Sequence, residues 1–316
     1  MTVLDLPPLE VLPRDLSAYR QGNTGIDYVH RFDSGRPGPH VLINALTHGN
    51  EICGMVAATR LLDEGVRPRI GTLTVSFAHV EAYNAFDPAQ PFANRQMVDN
   101  LNRVWSAAQL DGPGDSPELR RARALRPVVA AADHVLDIHS TSQPVAPFWV
   151  YPDTPGNAAV ALAVGGPAIH LLMSDGLGTG TPLIQCAPHG RAGAPGAALV
   201  VECGQHFAQS AADTAVATTW AFLAHCGLID ADAVPGGVVR PAAHRYALLE
   251  TFVVQTPDFA FVRPLVGFET FARGELIATD GPHRIVSPCD GCTVFMPTRE
   301  PIVGREGVYL TRPLQA

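Results

Sequence analysis

The sequence predicts an α/β protein in which a mixed central sheet is flanked by helices and followed by a smaller C-terminal β-domain. Strand-like apolar runs alternate with helical segments up to residue 225, which is the pattern of an α/β domain. Helical periodicity fades after Val234-Pro-Gly-Gly237, where short apolar runs are separated by Gly, Pro and Asp. We therefore expect one domain over residues 1–235 and a second over residues 236–316.

Runs of β-branched and other apolar residues mark the strands of the first domain. The predicted strands are 26–32, 41–46, 72–80, 134–139 and 199–204. Helical spacing marks three helices, at 51–62, 117–132 and 209–225. Ser116 and Pro117 support the second helix, because Ser caps helices and Pro is tolerated in the first turn.

Four apolar runs predict short strands in the C-terminal part, at 247–254, 259–266, 293–296 and 308–310. Together they indicate a small β-domain of roughly 80 residues. Cys289-Asp-Gly-Cys292 has the spacing of a zinc knuckle or a redox motif. Because no second Cys pair accompanies it and Asp-Gly favours tight turns, we expect a hairpin turn there instead.

Composition excludes several classes of function. With 47% hydrophobic and 16% charged residues the chain is globular. The net charge of −8 gives no electrostatic reason to expect nucleic acid or an anionic membrane as partner. No apolar run is long enough for a membrane span, and the N-terminus does not resemble a secretory signal. Six cysteines do not make a disulfide scaffold here, so we expect a cytoplasmic protein with reduced thiols.

An imidazole and a carboxylate follow the predicted strand 41–46. His48 lies at the end of this strand and Glu51 in the first turn of the next helix, with Gly49 keeping the connection tight. His139 ends the strand 134–139. Ligands of open α/β sheets bind at the carboxyl ends of strands. Two histidines and one carboxylate, with a fourth position left to water, are typical of a catalytic zinc site.

This interpretation competes with a simpler one, in which the histidines are surface or capping residues. A lone strand-end histidine favours the simpler interpretation, whereas Glu51 and a second strand-end histidine bring the two to about even. His134 should not be a ligand, because its odd offset from His139 places it on the opposite strand face. His79, at the end of the strand 72–80, is a candidate to line the site.

Glu202 lies near the carboxyl end of the otherwise apolar strand 199–204. A carboxylate in such a strand is costly unless it is paired or has a catalytic role. Beside a zinc with bound water, a carboxylate that is not a ligand can act as general base. The alternative is a buried salt bridge to an arginine.

The segment 82–107 is polar and irregular, and long loops inside compact domains are usually functional. It contains Arg95, Asn102 and Arg103, and arginine binds carboxylates in a bidentate fork. One of these arginines could also stabilise the oxyanion of an acyl-transfer reaction. Arg191, shortly before the Glu202 strand, is a further candidate for substrate binding. The alternative is that these are surface arginines of loops.

Four short motifs resemble those of the aspartoacylase and succinylglutamate desuccinylase family, a branch of the zinc carboxypeptidase-like fold. In chain order they are THGNE from Thr47, NLNR from Asn100, DIHS from Asp137 and VECG from Val201. The resemblance covers approximately residues 40–230, and the C-terminal β-domain is similar to the family's arrangement. The combination of motifs is specific, whereas His-x-x-Glu alone is not.

The resemblance implies a role for each candidate residue. One zinc ion per chain would be held by His48, Glu51 and His139. Glu202 would be the general base and later the proton donor. Arg95, Asn102 and Arg103 would contact the substrate, with Arg95 nearest the carbonyl oxygen.

The chain also departs from the family in ways that concern the substrate. The family often has Asp where this chain has Asn100, which removes one acidic group near the metal. Aspartoacylases use a C-terminal tyrosine on the substrate, but Tyr246 and Tyr309 both lie outside any recognisable motif.

The sequence therefore predicts a zinc-dependent hydrolase that removes an acyl group from an N-acylated amino acid or a similar small amide. Its expected partner is a small-molecule substrate that carries a carboxylate, and the chain is compatible with a homo-oligomer. One alternative is a zinc carboxypeptidase that acts on peptides. Another is a binding module whose β-domain recognises a partner and whose vestigial site holds no metal.

Overall fold

A mixed sheet of eleven strands runs through both predicted domains. The computed structural model describes residues 6–173, 179–186 and 196–315. The strands are β1 (Val29–Asp33), β2 (His40–Ala45), β3 (Thr72–Phe77), β4 (His134–Thr141), β5 (Phe148–Pro152), β6 (Ile169–Met173), β7 (Ala197–Gln205), β8 (His244–Val253), β9 (Ala260–Phe261), β10 (Thr270–Phe271), β11 (Leu276–Asp280), β12 (His283–Val286), β13 (Cys292–Phe295) and β14 (Glu306–Pro313). The α-helices are α1 (Ile52–Asp63), α2 (Val80–Asn84), α3 (Ala107–Leu110), α4 (Pro117–Ala131), α5 (Pro155–Val164), α6 (Leu183–Cys186) and α7 (Gln209–His225).

The centre of the sheet is parallel, in the order β3-β2-β4-β7. Because these strands run in one direction, their carboxyl ends meet at the same edge, where α/β proteins bind ligands. Helices α1, α5 and α7 pack on one face of the sheet, and α4 and α6 pack on the other. The prediction of a mixed sheet flanked by helices is confirmed. Among the described helices, none has both the length and the apolarity needed to cross a membrane.

Strand alternation decides which side chains of β7 reach the site. Successive residues of a strand point to opposite faces. Leu199 and Val201 therefore pack in the core formed with α1 and α7, whereas Val200 packs in the core on the α4 side. Glu202 shares its face with Val200.

Some elements follow the sequence prediction closely and others were missed. The helix 209–225 forms as α7, and Ser116 caps α4 by accepting a hydrogen bond from the backbone N–H of Leu119. The sequence did not predict β5, α5 and β6. These elements are short and bounded by Pro or Gly, and β5 is fixed by pairing with β7, which lies far along the chain.

The C-terminal β region is present, and it continues the main sheet. Strand β8 pairs in parallel with β6 and antiparallel with β14, while β9, β11 and β12 form a separate three-stranded sheet. Asp290 and Gly291 form a turn between two free cysteines. The strands on either side belong to different sheets, so the predicted hairpin is wrong although the turn is right. The division at residue 235 remains a proposal.

Candidate metal centre

Three buried side chains converge at the carboxyl edge of the parallel strands. His48 follows β2, Glu51 directly precedes α1, and His139 lies in β4. One potential ligand atom of each lies within 4.8 Å of the others. His48 Nδ1 lies 2.8 Å from Glu51 Oε1, and His139 Nδ1 lies 2.8 Å from Glu51 Oε2. The structure thus brings together the three residues that the sequence predicted as metal ligands.

The outer nitrogen of each imidazole is held by an oxygen acceptor. His139 Nε2 lies 2.8 Å from Asp137 Oδ2. His48 Nε2 lies 2.9 Å from Asn100 Oδ1, an oxygen that also accepts a hydrogen bond from the backbone N–H of Asn102. Since both partners are acceptors, each Nε2 can carry the hydrogen and donate it, although each Nδ1 also faces an acceptor, a carboxylate oxygen of Glu51. A neutral imidazole in this tautomer directs the bare Nδ1 at Glu51.

This donor set fits a divalent metal ion. In this tautomer two Nδ1 lone pairs face the carboxylate of Glu51, and such acceptors repel one another unless a proton or a cation lies between them. Oε2 of Glu51 is buried and has no hydrogen-bond partner of suitable geometry, even though His139 Nδ1 is close. Two imidazoles and one carboxylate match the protein ligands of catalytic zinc sites, and the acceptors on Nε2 match the outer contacts of such ligands.

The electrostatics of the group also favour added positive charge. Burial lowers the pKa of His48 to about 4, and the nearby Arg95 guanidinium adds to this effect. Burial alone would lower the pKa of His139, but the carboxylates of Asp137 and Glu51 outweigh it and raise this pKa well above its usual value. His48 is therefore an uncharged candidate ligand. The proton on His139 carries the positive charge that a bound metal ion would replace.

Gly49 is needed because backbone segments meet at this position. A Cβ atom on Gly49 would lie 2.4 Å from the carbonyl oxygen of Asn94 and 2.6 Å from the backbone nitrogen of Tyr83. The N–H of Gly49 donates to the carbonyl oxygen of Arg95 at 3.0 Å. The expected tight connection is confirmed, and it joins the ligand segment to the loop that carries Arg95.

A buried polar network aligns the two ligand strands. Asp137 Oδ1 accepts hydrogen bonds from Asn44 Nδ2 and Thr47 Oγ1, each at 2.8 Å. Leu46, between those two residues, has a φ of 59°, a left-handed conformation that turns the chain out of β2. Because Asp137 also holds His139, one carboxylate fixes the positions of both histidine segments.

Arg95 lies beside the ligands at the cavity wall. Its guanidinium donates to Glu51 Oε1 at 3.1 Å. It also lies 3.1 Å from His48 Nε2, which accepts from the guanidinium only in the tautomer that leaves Nε2 bare. With its side chain about one-third exposed (35%), Arg95 is open to the cavity.

Glu202 is adjacent to His139 on the neighbouring strand and lies on the same sheet face. It is buried, and its Oε2 has no hydrogen-bond partner. Within the described part of the chain it forms no salt bridge, so the alternative role that the sequence left open gains no support. Burial raises the pKa of Glu202 to about 8, and the charges of Glu51 and Asp137 act in the same direction.

Arg103 lines the cavity but is already paired. Its Nε and Nη2 donate to the two carboxylate oxygens of Glu306 at 2.8 and 2.9 Å, and Nη2 also donates to Tyr309 Oη at 3.0 Å. The sequence missed Glu306 and left Tyr309 unplaced. The sequence signal that could have identified Glu306 was its position just before the apolar run of β14. Asn102 also lines the cavity, and its Oδ1 accepts from the backbone N–H of Leu183 at 2.9 Å.

A buried carboxylate on α4 organises the loop that bears these residues. Glu118 is fully buried and accepts hydrogen bonds from the backbone N–H groups of Met97, Val98 and Asp99 at 2.7, 3.2 and 3.1 Å. His79 Nε2 lies 2.8 Å from the same carboxylate. His79 therefore supports the loop through Glu118, and it is not among the residues that line the cavity.

The remaining candidates lie elsewhere. Arg191 falls outside the described residues. His134, predicted not to be a ligand, packs edge-on against Phe222 with ring centroids 6.3 Å apart. His206, which the sequence did not single out, lines the cavity, and its Nδ1 lies 2.8 Å from Ser140 Oγ.

A cavity of about 560 Å³ connects these groups, a size typical of small-ligand sites. Its polar part contains the three candidate ligands together with Arg95, Asn102, Arg103, Glu202, Glu306 and Tyr309. C-terminal residues such as Val266, Phe268 and Met296 form another part of the wall. The site is therefore built from both predicted domains.

Comparison with known proteins shows which family and which folds the chain is similar to. Residues 37–181 match the catalytic domain of the succinylglutamate desuccinylase/aspartoacylase family. Succinylglutamate desuccinylases and aspartoacylases are hydrolytic deacylases, and the matched segment contains the three candidate ligands, Arg95 and Arg103. It ends before Glu202. No curated protein sequence matches the chain.

Solved structures show how far the family fold extends. Succinylglutamate desuccinylase from Vibrio cholerae has 18% identity and a TM-score of 0.71, covering 91% of this chain and 86% of that one. The enzyme from Chromobacterium violaceum has 16% identity and a TM-score of 0.64, covering 92% and 90%. The product-bound ectoine utilization protein EutE (DoeB) from Ruegeria pomeroyi has 15% identity and a TM-score of 0.60, covering 88% and 86%. These structures share the fold of this chain over both predicted domains.

Proposed function

We propose that the protein is a zinc-dependent hydrolase that removes an acyl group from an N-acylated amino acid or a similar small amide, cutting a non-peptide C–N bond. The observation that carries this proposal is the convergence of two imidazole Nδ1 atoms on Glu51, each 2.8 Å from a carboxylate oxygen. The hydrogen-bond acceptors near both Nε2 atoms support the tautomers that a metal ion needs.

Each residue then has a defined task. His48, Glu51 and His139 would hold one zinc ion, which would polarise the scissile carbonyl and activate water. Glu202 accepts a proton from the attacking water and later donates it to the leaving amine. With a pKa raised to about 8, this carboxyl group can both take up and release a proton near neutral pH.

Positive groups near the ligands assist at other atoms. Arg95 donates hydrogen bonds to the carbonyl oxygen as negative charge develops there. Asn102 and Arg103 contact the remainder of the substrate, with Arg103 held in place by Glu306 and Tyr309. Arg191 remains a candidate substrate contact from outside the described residues. The partner is a small molecule that carries a carboxylate.

The wall formed by C-terminal residues favours a small substrate over a peptide. Val266, Phe268 and Met296 line the same cavity as the candidate ligands, so a long peptide chain would have to pass this wall. A zinc carboxypeptidase is therefore the second candidate. A binding module with a vestigial site is less well supported, because such a site would not need hydrogen-bond acceptors beside the outer nitrogens of both histidines.

A hydrolysis screen tests the proposal. Zinc-loaded protein is assayed for release of free amine from N-acetyl, N-formyl and N-succinyl amino acids, with C-terminally free peptides as a second arm. We expect hydrolysis of at least one N-acyl amino acid, loss of activity on chelation and recovery on adding zinc. Activity confined to peptides would identify the carboxypeptidase. Activity that persists through chelation, or no activity on any compound, would contradict the proposal.

A further inference from the structure

An apolar chamber adjoins Glu202 within the cavity. In the antiparallel pairing of β5 and β7, Phe148 lies opposite Glu202 and Val150 lies opposite Val200. Directly opposed residues of two strands share a sheet face, and Val200 shares that face with Glu202 because the two are two positions apart. The apolar side chains next to the proposed general base therefore form a continuous surface, and all of them line the cavity.

Further apolar residues extend this surface from other elements. Met173 at the end of β6 and Ile184 in α6 line the same cavity and are almost fully buried. Together with Phe148, Val150 and Val200 they belong to one hydrophobic core cluster, against which Phe268 and Met296 pack. We call the surface formed by these seven residues the apolar chamber.

The C-terminal wall of the chamber is held in an unfavourable backbone conformation. Phe268 has a φ of 71° and Met296 a φ of 47°, values that residues with a side chain rarely adopt. Such conformations persist where the surrounding structure imposes them and are frequent at functional sites. Phe268 is fixed by edge-on ring contacts with Phe148 at 5.6 Å and with Phe295 at 4.9 Å. The wall is thus preorganised.

Arg103 lines the same cavity, but it does not make the chamber suitable for a second anionic group. Both carboxylate oxygens of Glu306 receive hydrogen bonds from Arg103, so the charge of that guanidinium is already balanced. The seven chamber side chains have no polar group with which to replace the hydration of a carboxylate. Placing an unpaired charge there is costly, whereas burying an apolar group is favourable.

We propose that the apolar chamber binds an uncharged, apolar substituent of the substrate, so that the substrate class is N-acyl compounds with an aliphatic or aromatic acyl chain or amino-acid side chain. This inference rests on the proposed function. A compound with a carboxylate on that substituent, such as a succinyl chain, would be a poorer substrate than its apolar counterpart of the same shape.

Two matched substrate pairs test the inference on zinc-loaded enzyme. One pair compares N-(4-methylpentanoyl)glycine with N-succinylglycine, and the other compares N-acetylleucine with N-acetylaspartate; in each pair an isopropyl group replaces a carboxylate of similar shape. We expect kcat/KM to favour the apolar member by about tenfold or more in at least one pair, the scale of discrimination by an apolar pocket. Equal values, or preference for the charged member in both pairs, would overturn the inference while leaving the hydrolase intact.

A pair of variants on adjacent positions of β7 separates the chamber from general stability. Val200→Thr puts a hydroxyl group into the chamber, whereas Val201→Thr puts the same group into the core on the opposite face. Both should lower the melting temperature, but only Val200→Thr should reduce the apolar-to-charged ratio of kcat/KM, by about tenfold. An unchanged ratio in Val200→Thr would overturn the inference. If no compound is hydrolysed, the proposed function fails. The dissociation constants of N-acetylleucine and N-acetylaspartate, measured by calorimetry, then decide which substituent the chamber prefers.

Discussion

His48 Nε2 lies 2.9 Å from Asn100 Oδ1, and this amide oxygen is held in place by the backbone N–H of Asn102. The loop that carries Arg95 and Asn100 therefore orients one of the proposed zinc ligands. Asn100→Ala should weaken zinc binding by about 10- to 100-fold, because the contacts that orient metal-bound histidines have effects of that size. Asn100→Asp should keep or strengthen binding. Competition with a chelator measures the affinities, with the exposed Asn84→Ala as control; equal affinity in Asn100→Ala would contradict the orienting role.

Removing a ligand should abolish zinc binding. His48→Ala and His139→Ala each leave two of three protein ligands, and we expect neither protein to retain stoichiometric zinc or activity. His134→Ala is the matched control, because His134 lies in the same strand as His139 but packs against Phe222. Metal content by mass spectrometry after dialysis checks the expectation. One full equivalent of zinc in either ligand variant would rule out the assignment of that residue.

Glu202→Gln should separate chemistry from metal binding. Glutamine is nearly isosteric and Glu202 is not a proposed ligand, so zinc content and melting temperature should stay near those of wild type. Turnover should fall by about 10² to 10⁴, the usual contribution of a general acid–base group. KM should change little, since the lost interaction acts in the transition state. Near-normal turnover together with a sharply lowered melting temperature would instead indicate a structural role.

Glu118→Gln should disturb the loop that carries Arg95 and Asn100, and it should do so from outside the cavity. The buried carboxylate accepts three backbone hydrogen bonds from residues 97–99, and an amide lacks the charge that strengthens them. We expect a loss of about 1–3 kcal/mol in unfolding free energy together with a raised KM for the folded, zinc-loaded enzyme. The exposed Glu81→Gln is the control. A loss of stability with unchanged kinetic constants would show that Glu118 supports the fold without positioning the loop.

The pairing of Glu306 with Arg103 should make the free energy of unfolding depend on pH. Burial alone would raise the pKa of Glu306, but Arg103 outweighs it and lowers this pKa from 4.5 to about 2. A depressed folded-state pKa stabilises the protein above the unfolded pKa and ceases to do so as pH falls through the folded value. The stability advantage of wild type over Glu306→Gln should therefore shrink between about pH 5 and pH 2, by at most about 3 kcal/mol. Urea unfolding at several pH values measures it, with the exposed Glu250→Gln as control; a constant difference would contradict the ion pair.

The local sequence was sufficient for the regular elements and for the residues attached to strand ends. Apolar runs predicted β2, β4 and β7, and helical spacing predicted α7, because hydrophobic periodicity follows directly from the geometry of strands and helices. The positions of His48, Glu51 and His139 followed from the rule that ligands gather at the carboxyl ends of parallel strands. The close approach at Gly49 also followed from the residue type alone.

Only the tertiary structure decided how distant residues combine. Glu306 is 203 positions from Arg103, and Glu118 reaches a loop about 20 positions earlier in the chain; no local pattern encodes either contact. The same holds for the chamber, since the pairing of β5 with β7 and the left-handed conformations of Phe268 and Met296 arise from packing between elements. Periodicity fixes which face of a strand is buried, whereas the partner across that face depends on the free energy of the whole assembled core. The sequence thus determined the three candidate metal ligands, and the packing of the C-terminal strands determined what lies around them.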